Sequence, residues 1–176
     1  NQITLLKNSD FKKGTYRITE PGKYELSEDI TFNPNPKNDF MPLSEDTMVN
    51  NTPSGSATYP IGQYGAYHLG FFAAITIECK DVILDLNGFT IKQSKKHHLV
   101  QRFYANIELN SAPFIPKQGP SATKFSNDSN FRSAENCFIQ NGTLGLSSHH
   151  GIHGNANKNI GIKDLIINKY EVGGIA

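Results

Sequence analysis

The chain has 176 residues, 37% of them hydrophobic, and its 17 Lys and Arg against 16 Asp and Glu leave a net charge of +1. That length fits one domain, the modest apolar share points to a thin, elongated core, and the balanced charge gives the whole molecule no pull toward nucleic acid, a membrane surface or a strongly acidic polymer. A charged partner would need a local patch.

The chain opens on Asn1-Gln2-Ile3-Thr4-Leu5-Leu6, with neither an initiator Met nor the basic-then-apolar layout of a signal peptide, so we expect the true N-terminus to be missing from this sequence. No run approaches the roughly eighteen apolar residues of a membrane span, and none is expected. Residues 1–32 read as N-terminal strands and a capping coil. Alternation at Tyr16/Ile18, Tyr24/Leu26 and Ile30/Phe32, broken at Pro21-Gly22, predicts short strands joined by a tight turn. Residues 33–74 read as a polar insertion and its return, rich in Pro, Asn, Ser and Gly. From 75 to 176 we expect parallel β-helix coils that continue beyond the last residue, with a second insertion at about 93–132. Cys79 and Cys137 lie inside apolar alternations and read as buried free thiols.

The repeat is carried by Ile75-Thr76-Ile77-Glu78-Cys79 with Val82, Leu84 and Leu86, and again by Asn136 onward. Both blocks run into Asn-Gly, at Asn87-Gly88 and Asn141-Gly142, and resume alternation after it. Gly151-Ile152 recurs as Gly174-Ile175, and the same shift places Cys137 on Ile160, Ile139 on Ile162 and Leu144 on Ile167. The expected fold is all-β, a right-handed parallel β-helix of about 23 residues per coil with two long loop insertions. Asn-Gly supplies the left-handed backbone of a sharp corner, where successive asparagines can stack as a ladder. A hairpin sandwich would instead place Asn-Gly between antiparallel strands, and the recurrence argues against it.

The densest polar cluster is Ser147-Ser148-His149-His150-Gly151-Ile152-His153. With Ile152 inward, His153 points out, and His149 and His150 sit in the preceding turn, so three imidazoles crowd one outer edge. They are candidates for acid/base catalysis, against the plainer expectation that Ser and His decorate a tight corner. If His153 is exposed, its loss costs little stability. Asp85, Asp164 and Glu171 are the carboxyl candidates for glycoside cleavage. Asp85 faces outward, and Asp164 falls on the corner position of Asn141. Ser94-Lys95-Lys96-His97-His98 with Arg102 supplies positive charge and reads as a solvated face. Tyr59, Tyr64 and Tyr67 are candidates for stacking on a glycan or anchoring a partner. No spacing suggests a metal site and no cofactor is expected. The sequons at Asn50, Asn127 and Asn141 are of the kind that arises by chance.

With the segments VILDLNGFTI (82–91), NGTLGLSSHHGIHGN (141–155) and NIGIKDLIINKYEVGGI (159–175), the chain resembles the pectin-lyase-like right-handed β-helix superfamily, and within it β-helix proteins of large DNA viruses and algae. The resemblance spans Gly14 to Ala176. It implies a structural or adhesive module of a larger assembly such as a virion capsid, spike or fibre, contacting glycans or neighbouring subunits, and placed in a virion or at a cell surface. It also implies a possible homotrimer. Two other functions stay open: a polysaccharide lyase or glycoside hydrolase whose groove is completed by later coils, and a non-catalytic glycan-binding domain.

Overall fold

Runs of β-branched and aromatic residues too short for a helix become short strands. The computed structural model describes residues 2–38, 40, 48–49, 52–53, 71–114 and 131–176. In chain order the strands are β1 (Ile3–Leu6), β2 (Tyr16–Ile18), β3 (Gly22–Leu26), β4 (Ile30–Phe32), β5 (Met48–Val49), β6 (Thr52–Pro53), β7 (Phe71–Ile77), β8 (Val82–Asp85) and β9 (Thr90–Gln93). A short helix α1 (Lys95–Val100) follows, then β10 (Phe103–Glu108), β11 (Glu135–Leu144), β12 (His150–His153), β13 (Lys158–Ile167) and β14 (Gly173–Ile175). Three-residue to four-residue 3-10 turns lie at Asn8–Phe11, Pro36–Asn38 and Ala112–Phe114.

Two parallel sheets contain all but β5 and β6, which form an antiparallel ribbon. The seven-stranded sheet runs β1-β3-β8-β11-β9-β4, with β13 on the other side of β11, and the ten-residue β11 is long enough to pair with both β8 and β9. The five-stranded sheet runs β14-β12-β10-β7-β2. This corrects the expected fold class. Ile3 stands beside Lys23, Lys23 beside Ile83, Ile83 beside Phe138 and Phe138 beside Gly161, so only the last step keeps the 23-residue interval. The five-stranded sheet repeats that irregularity from Arg17 to Thr76 to Glu108 to His153. The described residues are two parallel sheets of short strands with some helix. A solenoid is not seen, and a right-handed β-helix is not shown.

The second expected insertion is corrected as well. Residues 93–132 contain α1 and the whole of β10, which sits in the middle of the five-stranded sheet. Its Tyr104, Ala105 and Ile107 are buried, as is Leu109 just after it. Most of residues 33–74 lies outside the described residues, apart from β4's neighbours, the β5–β6 ribbon and the start of β7.

Ile75, Ile77, Val82, Leu84, Leu86, Ile91, Ile107, Cys137, Ile139, Leu144 and Ile152 pack into one continuous core with Leu26, Ile30 and Phe32. Each such side chain contributes roughly 1.5–3 kcal/mol by leaving water. Cys137 is buried, Cys79 is half-buried, and both are free thiols. Left-handed backbone marks the corners, between strands at Asp81 and Asn87 and within β11 and β13 at the positions beside them: Asp81, Asn136 and Asn159 have φ of 59, 53 and 53°, and Asn87, Asn141 and Asp164 have 52, 61 and 52°. Short polar side chains tolerate that region because they hydrogen-bond locally. At the Asn-Gly corner, where the sequence suggested an asparagine ladder, the side-chain amides of Asn87 and Asn141 donate instead to the Leu26 carbonyl and the Asp85 carboxylate.

Helix α1 is capped by Ser94, whose hydroxyl accepts the His97 amide at 3.1 Å. That cap turns His97 inward, where the rings of Phe32, Phe40, Phe72 and Tyr104 meet it edge-on at centroid distances of 4.7–5.6 Å. The expected solvated face at 94–98 therefore has a fully buried imidazole in its middle.

Candidate functional site

In-register parallel strands align residues of one kind across a sheet, and in the five-stranded sheet they align a polar row: Arg17 of β2, Thr76 of β7, Glu108 of β10 and His153 of β12. Thr76 and Glu108 are fully buried, as is Glu78 two residues beyond Thr76. Each buried charge has a partner, as burial demands. Arg17 donates from Nε and Nη2 to the two Glu78 carboxylate oxygens at 2.7 and 2.5 Å, and Thr76 donates to Oε2 at 2.7 Å. The Arg17 guanidinium also lies 4.0 Å over the Phe114 ring. At the other end, His153 Nδ1 lies 2.9 and 2.7 Å from the two Glu108 oxygens.

Two further imidazoles join His153. The His150 ring stacks on it at 4.9 Å with an interplanar angle of 11°, and His150 Nδ1 lies 2.9 Å from His149 Nδ1. Phe103 closes the stack edge-on against His149 at 5.6 Å. The two Nδ1 atoms share a hydrogen only if at least one ring lacks a proton there. Burial, with the neighbouring His149 and His153, pushes His150 down to about 4. Burial, with His153 and Arg102, lowers His149. Burial works to lower His153 too, but the hydrogen bond and charge of Glu108 outweigh it and its pKa is raised. Glu108 is itself raised by burial, against the pull of His153 and Asn110, so the pair keeps its proton more firmly than either group would alone.

Of the residues expected to form the site, His149, His150 and His153 do come together, and His153 is oriented by Glu108, which the sequence did not single out. Its signal was the polar alternation of Tyr104, Asn106 and Glu108 inside an apolar run that read as an excursion. His153 is also less free than expected: its side chain is 19% exposed and bound to a fully buried carboxylate, so its removal strands that charge. Asp85 lies apart from this cluster and serves its corner, accepting the Asn87 amide at 2.8 Å and the side-chain amides of Gln140 and Asn141 at 3.3 Å. Burial raises its pKa, but these bonds and the Lys23 charge win and lower it. Asp164 occupies the corresponding corner one strand on, and Glu171 bridges His98 and Arg102 at 3.1 and 3.0 Å. Tyr59, Tyr64 and Tyr67 lie outside the described residues. No group of three potential metal ligands occurs among the described residues, and no helix among them is long and apolar enough to cross a membrane.

A second polar surface lies on the seven-stranded sheet. Thr31 of β4 pairs with Lys92 of β9, and Thr90 of β9 with Thr143 of β11. Their side chains line a groove of about 540 Å³ together with Lys95 and Lys169. Gly145 also lines it, and a Cβ there would stand 3.4 Å from that of Lys92. No described Asp or Glu lines the groove, and none of its three lysines makes an ion pair with a described residue.

No protein-family model matches the chain, no curated protein matches it, and no solved structure matches it, so the comparisons identify no family and no pectin-lyase-like relationship.

Proposed function

We propose that the chain is a recognition module of a larger assembly, such as the virion implied by the sequence resemblance, and that it holds an anionic glycan along the groove over Lys92, Lys95 and Lys169. The supporting observation is the positive charge of that groove, whose three lysines make no ion pair with a described residue. A chain with a net charge of +1 attracts anions only through a local patch, and this groove is one. Parallel strands about 4.8 Å apart set Thr31, Lys92 and their neighbours at regular steps. Hydroxyls and side-chain amides beside the lysines suit sugar hydroxyls. Exposed ion pairs are weak singly, roughly 0.2–1 kcal/mol each, so the expected ligand is a polymer that engages several at once. The test is binding of dextran sulfate, polygalacturonate and neutral dextran at low and high salt. Salt-sensitive binding of a charged polymer, lost in a Lys92→Gln/Lys95→Gln/Lys169→Gln variant, supports the proposal. Equal binding by the variant, or binding of neutral dextran alone, rules out the groove.

A second reading, an acid–base enzyme of the lyase or hydrolase kind, is favoured by the Glu108–His153 pair with His150 stacked beside it. A carboxylate that orients an imidazole and stabilises its protonated form is what a proton-transfer group needs. Its test is release of new chain ends from the same polymers by the wild type and by His153→Gln.

A further inference from the structure

We propose that His149, His150 and His153 form a proton-operated clasp that holds β14 against β12 at neutral pH and releases it on acidification. The geometry rests on where the cluster stands. His150 pairs with Gly173 and Ile152 with Ile175 in the β12–β14 ladder. The His149 carbonyl accepts the amides of Val172 and Gly173 at 3.0 and 3.2 Å, and the Ile152 carbonyl accepts that of Ala176 at 3.0 Å. A Cβ on Gly173 would stand 3.3 Å from His150 Cδ2, so the His150 ring lies against the backbone of β14 itself. The His149 carbonyl therefore anchors β14 from a residue whose ring takes a proton, and the neighbouring His150 ring lies against the same strand.

Neutral His149 and His150 share one hydrogen between facing Nδ1 atoms, which fixes both rings. A first added proton places a charge in a stack whose third ring, His153, already favours its charged form beside Glu108. A second sets N–H against N–H and breaks the bond. The charged groups around the cluster offer little relief. Glu108 of β10 is engaged by His153, Arg102 ahead of β10 adds positive charge, and Glu171 between β13 and β14 is held by Arg102 and by His98 of α1. The Tyr170 ring packs against Gly174. The rings separate, and the strand resting on them goes with them.

The experiment is amide hydrogen exchange resolved at Val172, Gly173 and Ala176, corrected for intrinsic pH dependence, with the imidazoles of the same sample titrated by NMR. With His150 at about 4 in the closed state and its ordinary 6.5 in the open one, protection of these amides falls roughly 30-fold from pH 7.5 to pH 5. In a His97→Phe background, which removes the buried imidazole facing the Gln93 side chain, the Gln93 amide, bonded to the Leu146 carbonyl on the other sheet, keeps its protection. The loss sets in near the ordinary imidazole value of the open state, continues as the pH falls toward the closed-state titration of His150, and is absent in a His149→Gln/His150→Gln variant. The proposal is overturned if protection holds to pH 5, if it falls equally at Gln93 in the His97→Phe background, if the His150 imidazole titrates at its ordinary 6.5 in the closed protein, or if a folded double variant loses protection just as the wild type does.

Discussion

Asn159 donates a side-chain amide hydrogen to the Asn136 side-chain oxygen 2.9 Å away, and Asn136 donates in turn to Asp81 at 2.8 Å. All three have left-handed backbone, so the hydrogen-bond chain and the corner conformation are solved by the same side chains. Asn136→Ala removes both bonds and leaves a Cβ-bearing residue at φ 53° with no local compensation. We expect it to destabilise the fold by about 1–3 kcal/mol in urea denaturation. Asn136→Gly loses the bonds but not the conformational fit and should cost less. Equal losses from the two would mean the backbone contributes nothing at this corner.

The corners and the strands that flank them were legible because period-two alternation and Asn-Gly act locally: Tyr16/Ile18, Tyr24/Leu26, Val82/Leu84 and Cys137/Ile139 all lie in strands, inward at Ile18, Leu26, Leu84 and Ile139. What local signals cannot fix is which strands stand side by side. The 23-residue recurrence describes the last step of each sheet, but the earlier neighbours are separated by stretches of other lengths, and extending one interval over the chain produced a solenoid that the structure does not show. β10 was missed for a related reason. Polar Asn106 and Glu108 look like loop residues until Gly145 and His153 are brought beside them from elsewhere in the chain. The histidines could be singled out from sequence. Their orienting carboxylate could not.

Leu84 has no exposed surface and stands between Tyr24 of β3 and Ile139 of β11. Leu84→Asp places a carboxylate where no described cation or donor can reach it without opening the seven-stranded sheet. Such a burial costs more than about 4 kcal/mol, enough to unfold a domain of ordinary stability. Leu84→Ala leaves a cavity and should cost about 2–5 kcal/mol while preserving the fold. Circular dichroism and denaturant midpoints of the two variants separate these outcomes, and a cooperatively folded Leu84→Asp protein would show that this part of the core is not closed.

Burial, helped by the nearby His98, pushes His97 down to about 3. Its Nδ1 faces the Gln93 amide at 2.6 Å, and its Nε2 has no hydrogen-bond partner among the described residues, pointing instead into a cage of rings. A folded-state pKa below the ordinary 6.5 means the folded chain holds the neutral form. The contribution of His97 is complete above pH 6.5 and declines as the pH falls toward 3, by about 2 kcal/mol at pH 5. His97→Phe keeps an aromatic ring in the cage, and Gln93 retains the Gln101 carbonyl and the Ser148 hydroxyl as acceptors. Stability measured from pH 7.5 to 5 should fall less in this variant than in the wild type. Parallel curves would mean that His97 is not the group through which acid weakens the core.

His153 tests structure and chemistry together. Glu108 is fully buried and His153 is its charged partner, so His153→Ala strands a carboxylate and should cost about 3–5 kcal/mol, against the small loss expected of an exposed histidine. Because the folded-state pKa of His153 is raised, this contribution is fully present below its ordinary range and fades as the pH climbs through the raised value. A Glu108→Gln change in the alanine background should recover most of the deficit, since a neutral amide tolerates the site better than a lone carboxylate. Lost activity in His153→Ala would for that reason be ambiguous. His153→Gln keeps a donor within reach of Glu108 while removing the titrating nitrogen, so a protein that stays folded with this change and still releases new chain ends from a polysaccharide would show that His153 moves no proton in the reaction.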